Sequence, residues 1–298
     1  MIVISVIIAT YNRAALLQQQ LSAIKNQDFE PAGFEIVIVD DGSTDQTSEV
    51  VNTMQKGMSN ITYLRQDNQG PAVARNYAAS IASGSILAFT DDDCIVGSNW
   101  LSTIYKSFHD PKILALQGRT TTIKELVTPL THQVINEHGD ASIPTCNAAY
   151  RKSAFEQVGG FDNGFPFQNE DADLSWRIRE MGQVKFLPEM HVLHPPRTDS
   201  FRKNARKMKH LISEFMLYYK NPMLYNKHRA SNPWITIYWL VMVKAQGYHF
   251  TRRIKYIRQP MIMFQGILLS IIWWGQLFML LPEFWRSKLR YQRIYQSN

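Results

Sequence analysis

Ser85-Ile86-Leu87-Ala88-Phe89-Thr90-Asp91-Asp92-Asp93 decides how the rest of the chain is read. A short apolar run, bounded by Gly84, ends abruptly in three carboxylates. Its length and flanks predict a buried strand. Open α/β sheets bind ligands beyond the carboxyl ends of their strands. Adjacent carboxylates repel unless a cation or solvent relieves them. Oxygen-only donors suit magnesium or manganese, ions that commonly bridge to phosphate. Two readings stand on this stretch alone: a metal site that holds a nucleotide diphosphate, or an acidic, solvated turn.

Upstream, Val3 to Ala9 is apolar except for Ser5, as a strand buried on both faces requires, and Thr10-Tyr11-Asn12-Arg13 follows it. Ala14, Leu17, Leu21 and Ile24 fall on one helical face. Phe34 to Val39 predicts a second strand ending in Asp40-Asp41-Gly42-Ser43-Thr44-Asp45, where Asp45 or Thr44 would cap the next helix. Ile61 to Leu64 predicts a third strand, Asn68-Gln69-Gly70-Pro71 a turn, and Ala72 to Ala82 a helix carrying Arg75 and Asn76. This order implies an α/β fold with a doubly wound, mostly parallel sheet flanked by helices. Three strands would end on one rim, in Thr10-Tyr11-Asn12, Asp40-Asp41 and the acidic triplet. A carboxylate at one end can read a base with an N–H donor, such as uracil or thymine; another end would hold diphosphate and metal.

In this order and spacing, Ser5 to Arg13, Val39 to Asp45, Asn68-Gln69-Gly70 with Ala74-Arg75-Asn76, and Thr90 to Asp93 resemble the nucleotide-sugar half of family 2 glycosyltransferases. The resemblance covers roughly residues 3 to 200. It implies a GT-A fold over residues 1–200, with 1–95 as the nucleotide-sugar half and 96–200 as the acceptor half. It also implies transfer of a sugar, with inversion, from a nucleotide diphosphate sugar. Thr10, Tyr11 and Arg13 would line the nucleoside pocket, and Asp41, ahead of Asp40, would bind the base. Asn68, Gly70 and Arg75 would border ribose and diphosphate. Asp91 and Asp93 would form a D-x-D pair about Asp92, with Asp91 and Asp92 on the nucleotide sugar and Asp93 as the direct ligand of manganese or magnesium.

Further on, Ile143 to Tyr150 resembles the family's strand before the acceptor site, and Phe155 to Asp162 its glycine turn. Asn169-Glu170-Asp171-Ala172-Asp173 opens a helix with Leu174, Ile178 and Met181 on its apolar face. Acids in a first helical turn stabilise it through capping and the dipole. Sugar transfer also needs a carboxylate to take the acceptor hydroxyl's proton. By the resemblance Asp171 is that base and Glu170 supports it, while Asp173 caps or pairs within the helix. His194 follows the strand-like Val184 to Leu187 and precedes two prolines; it would complete the metal site or serve a structural role. Arg197 would neutralise the leaving diphosphate or be a loop charge. The acceptor loops are expected between Ile113 and Ile143.

Two cysteines, Cys94 and Cys146, are too few for a disulfide framework or a cysteine zinc site and fit a reducing compartment. The start, Met1 to Ser5, lacks a basic leader and reads as a strand and not a signal peptide. The net charge of +7 conceals an asymmetry: residues 1–200 hold 15 Lys+Arg and 23 Asp+Glu, and residues 201–298 hold 17 and 2. The second segment is therefore expected to be a basic, aromatic, helical tail. Met261 to Leu281 carries no formal charge and is long enough to cross a bilayer. Arg258 and Arg286, with Trp273, Trp274 and Trp285, equally suit a membrane interface, and a buried amphipathic helix is the third reading. The expected location is the cytoplasmic face of the cell membrane, peripheral or with one span. The expected acceptor is a glycan or lipid-linked molecule of the cell envelope or an exopolysaccharide. No helix-turn-helix or RNA-binding signature points to nucleic acid. A nucleotidyltransferase-like enzyme would carry a Gly-rich phosphate loop where this chain has Thr10-Tyr11-Asn12-Arg13. A non-catalytic glycan- or nucleotide-binding protein on the same fold is the other alternative, and a receiver-type module would leave Asp91 to Asp93 and Glu170-Asp171 unexplained.

Overall fold

The computed structural model describes residues 2–165, 167–229, 232–245 and 256–296. The chain divides into two compact units, 1–123 with 133–163 and 170–195, and 124–132 with 164–169 and 196–298.

The first unit runs β1 (Ile4–Thr10), α1 (Ala14–Lys25), β2 (Phe34–Asp40), α2 (Thr47–Gln55), β3 (Ile61–Arg65), α3 (Pro71–Ile81), β4 (Ile86–Phe89), β5 (Ile95–Val96), α4 (Trp100–Ser107), β6 (Ile113–Thr121), β7 (Ala148–Arg151), α5 (Lys152–Gln157), α6 (Glu170–Met181) and β8 (Gln183–Leu193). All eight strands form one sheet in the order β3-β2-β1-β4-β7-β6-β8-β5. The first four are mutually parallel. Beyond β4 the sheet is mixed: β7 runs antiparallel to both β4 and β6, and β8 parallel to β6.

Side chains alternate across a strand, and β1 uses both faces. Ile4, Val6 and Ile8 pack with Leu17, Leu21 and Ile24 of α1. Ile7 faces the other way, with Val37 and Val39 against Ala74 and Ala78 of α3. Ser5, the polar break in β1, donates to Glu35 at 2.6 Å and accepts from the Gly84 amide at 2.8 Å.

Three expectations are corrected. Ile113 to Thr121 is not part of a loop but strand β6, where the buried Gln117 side chain is satisfied by Asp140 and Asn136, and buried Thr120 by Asn136 along its backbone and by the Asn147 amide at its hydroxyl. The strand expected to end at Leu187 continues to Leu193, so His191 lies within it and His194 just beyond. Leu174 and Ile178 are buried, but Met181 ends α6 exposed.

The second unit pairs Thr131–His132 with Arg197–Thr198 and continues through α7 (Phe201–Ala205), a 3-10 stretch Lys207–Ile212, α8 (Ser213–Lys220), α9 (Pro222–His228), a π-helical stretch Thr236–Ala245, α10 (Pro260–Met279) and α11 (Leu281–Gln296). Its own core contains Phe215, Met216, Ile237, Leu277 and Phe284. Of the basic run Arg252 to Arg258, residues 252–255 lie outside the described residues.

Candidate active site

The chain reverses its direction of growth between β1 and β4, since β2 and β3 lie on one side of β1 and β4 on the other. The crevice beyond the carboxyl ends at such a switch point is where open sheets bind ligands. Thr10 ends β1 in register with Asp40 at the end of β2. Thr90 N donates to Ile7 O, which sets Asp91 to Asp93 just past β4 on the same rim.

The triplet is not a solvated turn: Asp92 and Asp93 are 2% and 6% exposed. Thr10 Oγ1 donates to Asp92 Oδ2 at 2.8 Å. Arg13 Nη1 donates to Asp92 Oδ1 at 2.6 Å and lies 3.2 Å from Asp93 Oδ2. His194, also buried, places Nε2 3.6 Å from Asp93 Oδ1. Arg75 donates to Asp91 Oδ1 at 2.8 Å and to Glu170 Oε1 at 3.4 Å. One guanidinium thereby ties the end of β4 to the first turn of α6. Burial pushes the Asp92 carboxyl up to about 6, with Arg13 opposing and Asp93 adding to the rise. Burial acts the same way on Asp91, but Arg75, His194 and Arg13 outweigh it and hold that carboxyl below its ordinary value.

Asp40 and Asp41 have separate surroundings. Asp40 Oδ1 accepts from Ser43 N at 2.7 Å and Oδ2 from the Tyr63 hydroxyl at 2.6 Å. Burial and this carboxylate together push the Tyr63 hydroxyl well up. Asp41 accepts from Gln66 Nε2, Gln69 N and Gly70 N at 2.7–2.8 Å, and its carbonyl takes Asn68 Nδ2 at 3.0 Å. Asp41, Asn68 and Gly70 are thus joined directly. Gly70 has φ 93°, which fits glycine at that turn. Tyr11, the residue that follows β1, stands exposed.

At α6, Asp171 is half-buried and its Oδ1 accepts from Ala172 N at 2.7 Å. Asp173 pairs with Arg177 at 2.6 Å, and Arg177 also donates to Val158 O and Gly160 O of the glycine turn. Asn76 closes the other side of that turn through Phe161 N and O. Arg197 falls in the second unit and lies 3.7 Å from Asp199.

Sequence reasoning passed over Asn12. It sits at φ 53°, accepts from Thr44 N and Asp45 N, and donates its amide to Ser43, joining the ends of β1 and β2. Asn tolerates the left-handed region, which was the available signal. Asp45 bonds Thr47 N as expected, but it also accepts from Ala14 N and so caps α1. Gln20 was the odd polar residue on the apolar face of α1; it is buried and donates to Thr90 Oγ1 at 2.9 Å.

Asp93, Cys94 and His194 offer donor atoms within 4.8 Å of one another. A hydrogen bond with Cys146, then burial, pushes the Cys94 thiol far up. Asp93 offers a carboxylate oxygen and His194 an imidazole nitrogen, donors that a divalent cation can take.

The profile of Glycosyl transferase family 2 matches residues 5–159. Glycosyltransferase AglE of Haloferax volcanii is 28% identical over 227 residues, 72% of this chain and 74% of that protein. A GalNAc(5)-diNAcBac-PP-undecaprenol beta-1,3-glucosyltransferase of Campylobacter jejuni is 38% identical over 109 residues, 36% of this chain and 35% of that protein. The match therefore spans only about a third of the Campylobacter enzyme. In fold, the chain is similar to the mannosyltransferase PcManGT of Pyrobaculum calidifontis, solved with GDP-Man and Mn2+: TM-score 0.62, 19% identity, 99% of this chain and 88% of that one.

Proposed function

The chain belongs to glycosyl transferase family 2, and from that membership we propose that it moves a sugar, with inversion, from a nucleotide diphosphate sugar to an acceptor hydroxyl. The observation that supports this most is the bridge of Arg75 between Asp91 and Glu170, since it sets a donor-side carboxylate beside the first turn of α6.

In this reading Thr10, Tyr11, Arg13 and Asp41 take the nucleoside, and Asn68, Gly70 and Arg75 border the ribose and diphosphate with Asp91 and Asp92. Asp171, in the first turn of α6, takes the proton of the acceptor hydroxyl, with Glu170 in support; a helix N-terminus keeps such a carboxylate ionised. Asp93 and His194 would hold manganese or magnesium. When bound, that ion supplies positive charge to the departing nucleotide diphosphate. Arg13 and Arg75, already fixed beside the triplet, add their own. The Campylobacter relative's name specifies an undecaprenol-linked glycan. We extend that class, a glycan or lipid-linked acceptor at the cytoplasmic face of the membrane, to this chain.

The test is calorimetry with UDP, GDP and dTDP, with and without manganese, followed by a transfer assay with the sugar of the nucleotide that binds. Metal-dependent binding of one nucleotide, lost in Asp93→Asn and kept in Asp171→Asn, is expected. Failure of folded protein to bind any of the three would defeat the assignment.

A further inference from the structure

We propose that the second unit docks on an anionic membrane with α10 and α11 lying in the plane of its surface, and that α10 does not cross the bilayer. This deepens the membrane placement proposed above and rests on it. By length and composition alone α10 could span.

Its surroundings argue otherwise. The C-terminal half of α10 belongs to one small core, through Trp273 and Leu277. α10 packs on α7 and on Lys207–Ile212, with Trp273 Nε1 donating to Asn204 O at 2.7 Å and the Tyr238 hydroxyl donating to Leu277 O at 2.8 Å. α11, which follows directly, packs back on α8, where the Phe284 and Phe215 rings lie 5.9 Å apart. Were α10 to cross as a single span, α11 and α8 would fall on opposite sides of the bilayer. Such a span would also draw Arg202 and Lys203 of α7 and Lys207 and Lys209 towards hydrocarbon, where cations are costly.

The outward faces have the composition of an interface. Gly266, Leu269, Ser270 and Leu277 form the packed side of α10. Opposite them Phe264, Ile271, Trp274 and Phe278 are exposed, where a helix facing only water would carry polar residues. α11 repeats the arrangement. Phe284 and Tyr291 are buried, Leu281, Trp285 and Leu289 are exposed, and Arg286, Lys288, Arg290 and Arg293 lie among them. Exposed Trp with flanking cations is the pattern of in-plane amphipathic helices. An open apolar hollow lined by Trp234, Ile235, Tyr238 and Trp239 adjoins Trp285, whose ring lies 6.3 Å from that of Trp234.

Charge selects an anionic surface over the like face of a second copy of the chain. Residues 201–298 hold 17 cations and 2 acids. Glu214 is buried against Asn169 and Tyr225, and Glu283 is paired with Lys209 at 3.1 Å. Neither acid is left to answer a like surface.

The experiment is flotation of full-length protein with sealed vesicles of phosphatidylcholine, with and without phosphatidylglycerol, combined with thiol labelling. Binding to the anionic vesicles is expected, with a several-fold fall in high salt and loss in Trp274→Glu and Trp285→Glu, whose folding is checked by circular dichroism. Gln259→Cys and Gln292→Cys flank α10 and the body of α11, and Cys94 and Cys146 are buried, so background labelling is low. An impermeant maleimide added outside should modify both new thiols. If one is protected until the vesicles are opened, α10 spans, and the in-plane geometry fails while the membrane placement stands. Folded protein that floats with no vesicle, or that instead dimerises with rising concentration, overturns both.

Discussion

Replacing Arg75 with Met removes the cation that joins β4 to α6. Arg75 is 8% exposed, bonded to Asp91 and Glu170, and its guanidinium lies 5.9 Å from the centre of the Phe161 ring. Met keeps most of the aliphatic stem, so the loss is electrostatic. Removing one partner of a buried ion pair costs about 3–5 kcal/mol, because the remaining charge keeps its desolvation penalty. The Asp91 side chain is 24% exposed. Water reaches it, which argues for the lower end, about 3 kcal/mol. For a unit of this size that corresponds to a fall in Tm of about 6–12 °C. Asp91→Asn alone should cost less, about 1–2 kcal/mol, since Arg75 retains Glu170. In the double variant the Asp91 charge is gone and only Glu170 has lost its cation, so a coupling of about 1–3 kcal/mol should reappear as recovered stability. Urea unfolding followed by tryptophan fluorescence reads this in the first unit, where Trp100 and Trp176 are buried. Single-variant losses that simply add would refute the argument that Asp91 depends on this guanidinium.

Other outcomes follow from the same geometry. A methyl group on Gly118 would come within 2.1 Å of the Met190 carbonyl and 2.4 Å of the Asn147 amide nitrogen; Gly118→Ala should therefore lose about 1–3 kcal/mol or more, and an unchanged urea midpoint would contradict the close strand approach. In Asp199, burial acts upward, but Lys203, Arg197 and Lys207 together hold the carboxyl below its ordinary value. The folded protein then releases that proton more readily than the unfolded one. The stabilisation is present above the ordinary carboxylate range and is lost as pH falls through the lowered value. Asp199→Asn should show a Tm deficit at pH 7 that closes below about pH 4; a deficit constant with pH would count against the ion cluster. His194→Ala should weaken manganese-dependent nucleotide binding by at least about tenfold, the loss that even supporting residues of a metal site produce. Metal-free binding should change little; equal loss in both titrations would make His194 purely structural.

The parallel half of the sheet was legible because each strand is an apolar run and each ends in a polar signature. β6 was not. Gln117-Gly118-Arg119-Thr120 breaks the apolar run, and the partners that make those polar groups tolerable come from Asn136, Asp140 and Asn147. Such partners are tertiary and leave no local pattern. The acidic triplet was visible, but its burial was not, because the groups that permit burial, the guanidinium groups of Arg13 and Arg75 and the imidazole of His194, are distant in sequence. Asp45 shows the same limit in miniature: a cap for the helix that follows it could be read, and a cap for α1 could not. In the second unit, composition gave an apolar helix, whereas the return of α11 onto α8 depends on which face of each helix the core accepts.

β1 is bonded to β2 along one edge and to β4 along the other, and both partners come later in the chain. Synthesis proceeds from the N-terminus, so the second edge of β1 stays bare until Ile86 has left the ribosome, and the outer edge of β4 stays bare until Ala148 follows. Throughout that interval the nascent chain displays an apolar strand edge, a template for pairing with the wrong neighbour. The topology that opens a crevice at the switch point therefore defers its own completion. By this topology a ribosome stalled just short of Ser85 leaves a more adhesive product than one stalled beyond Arg151.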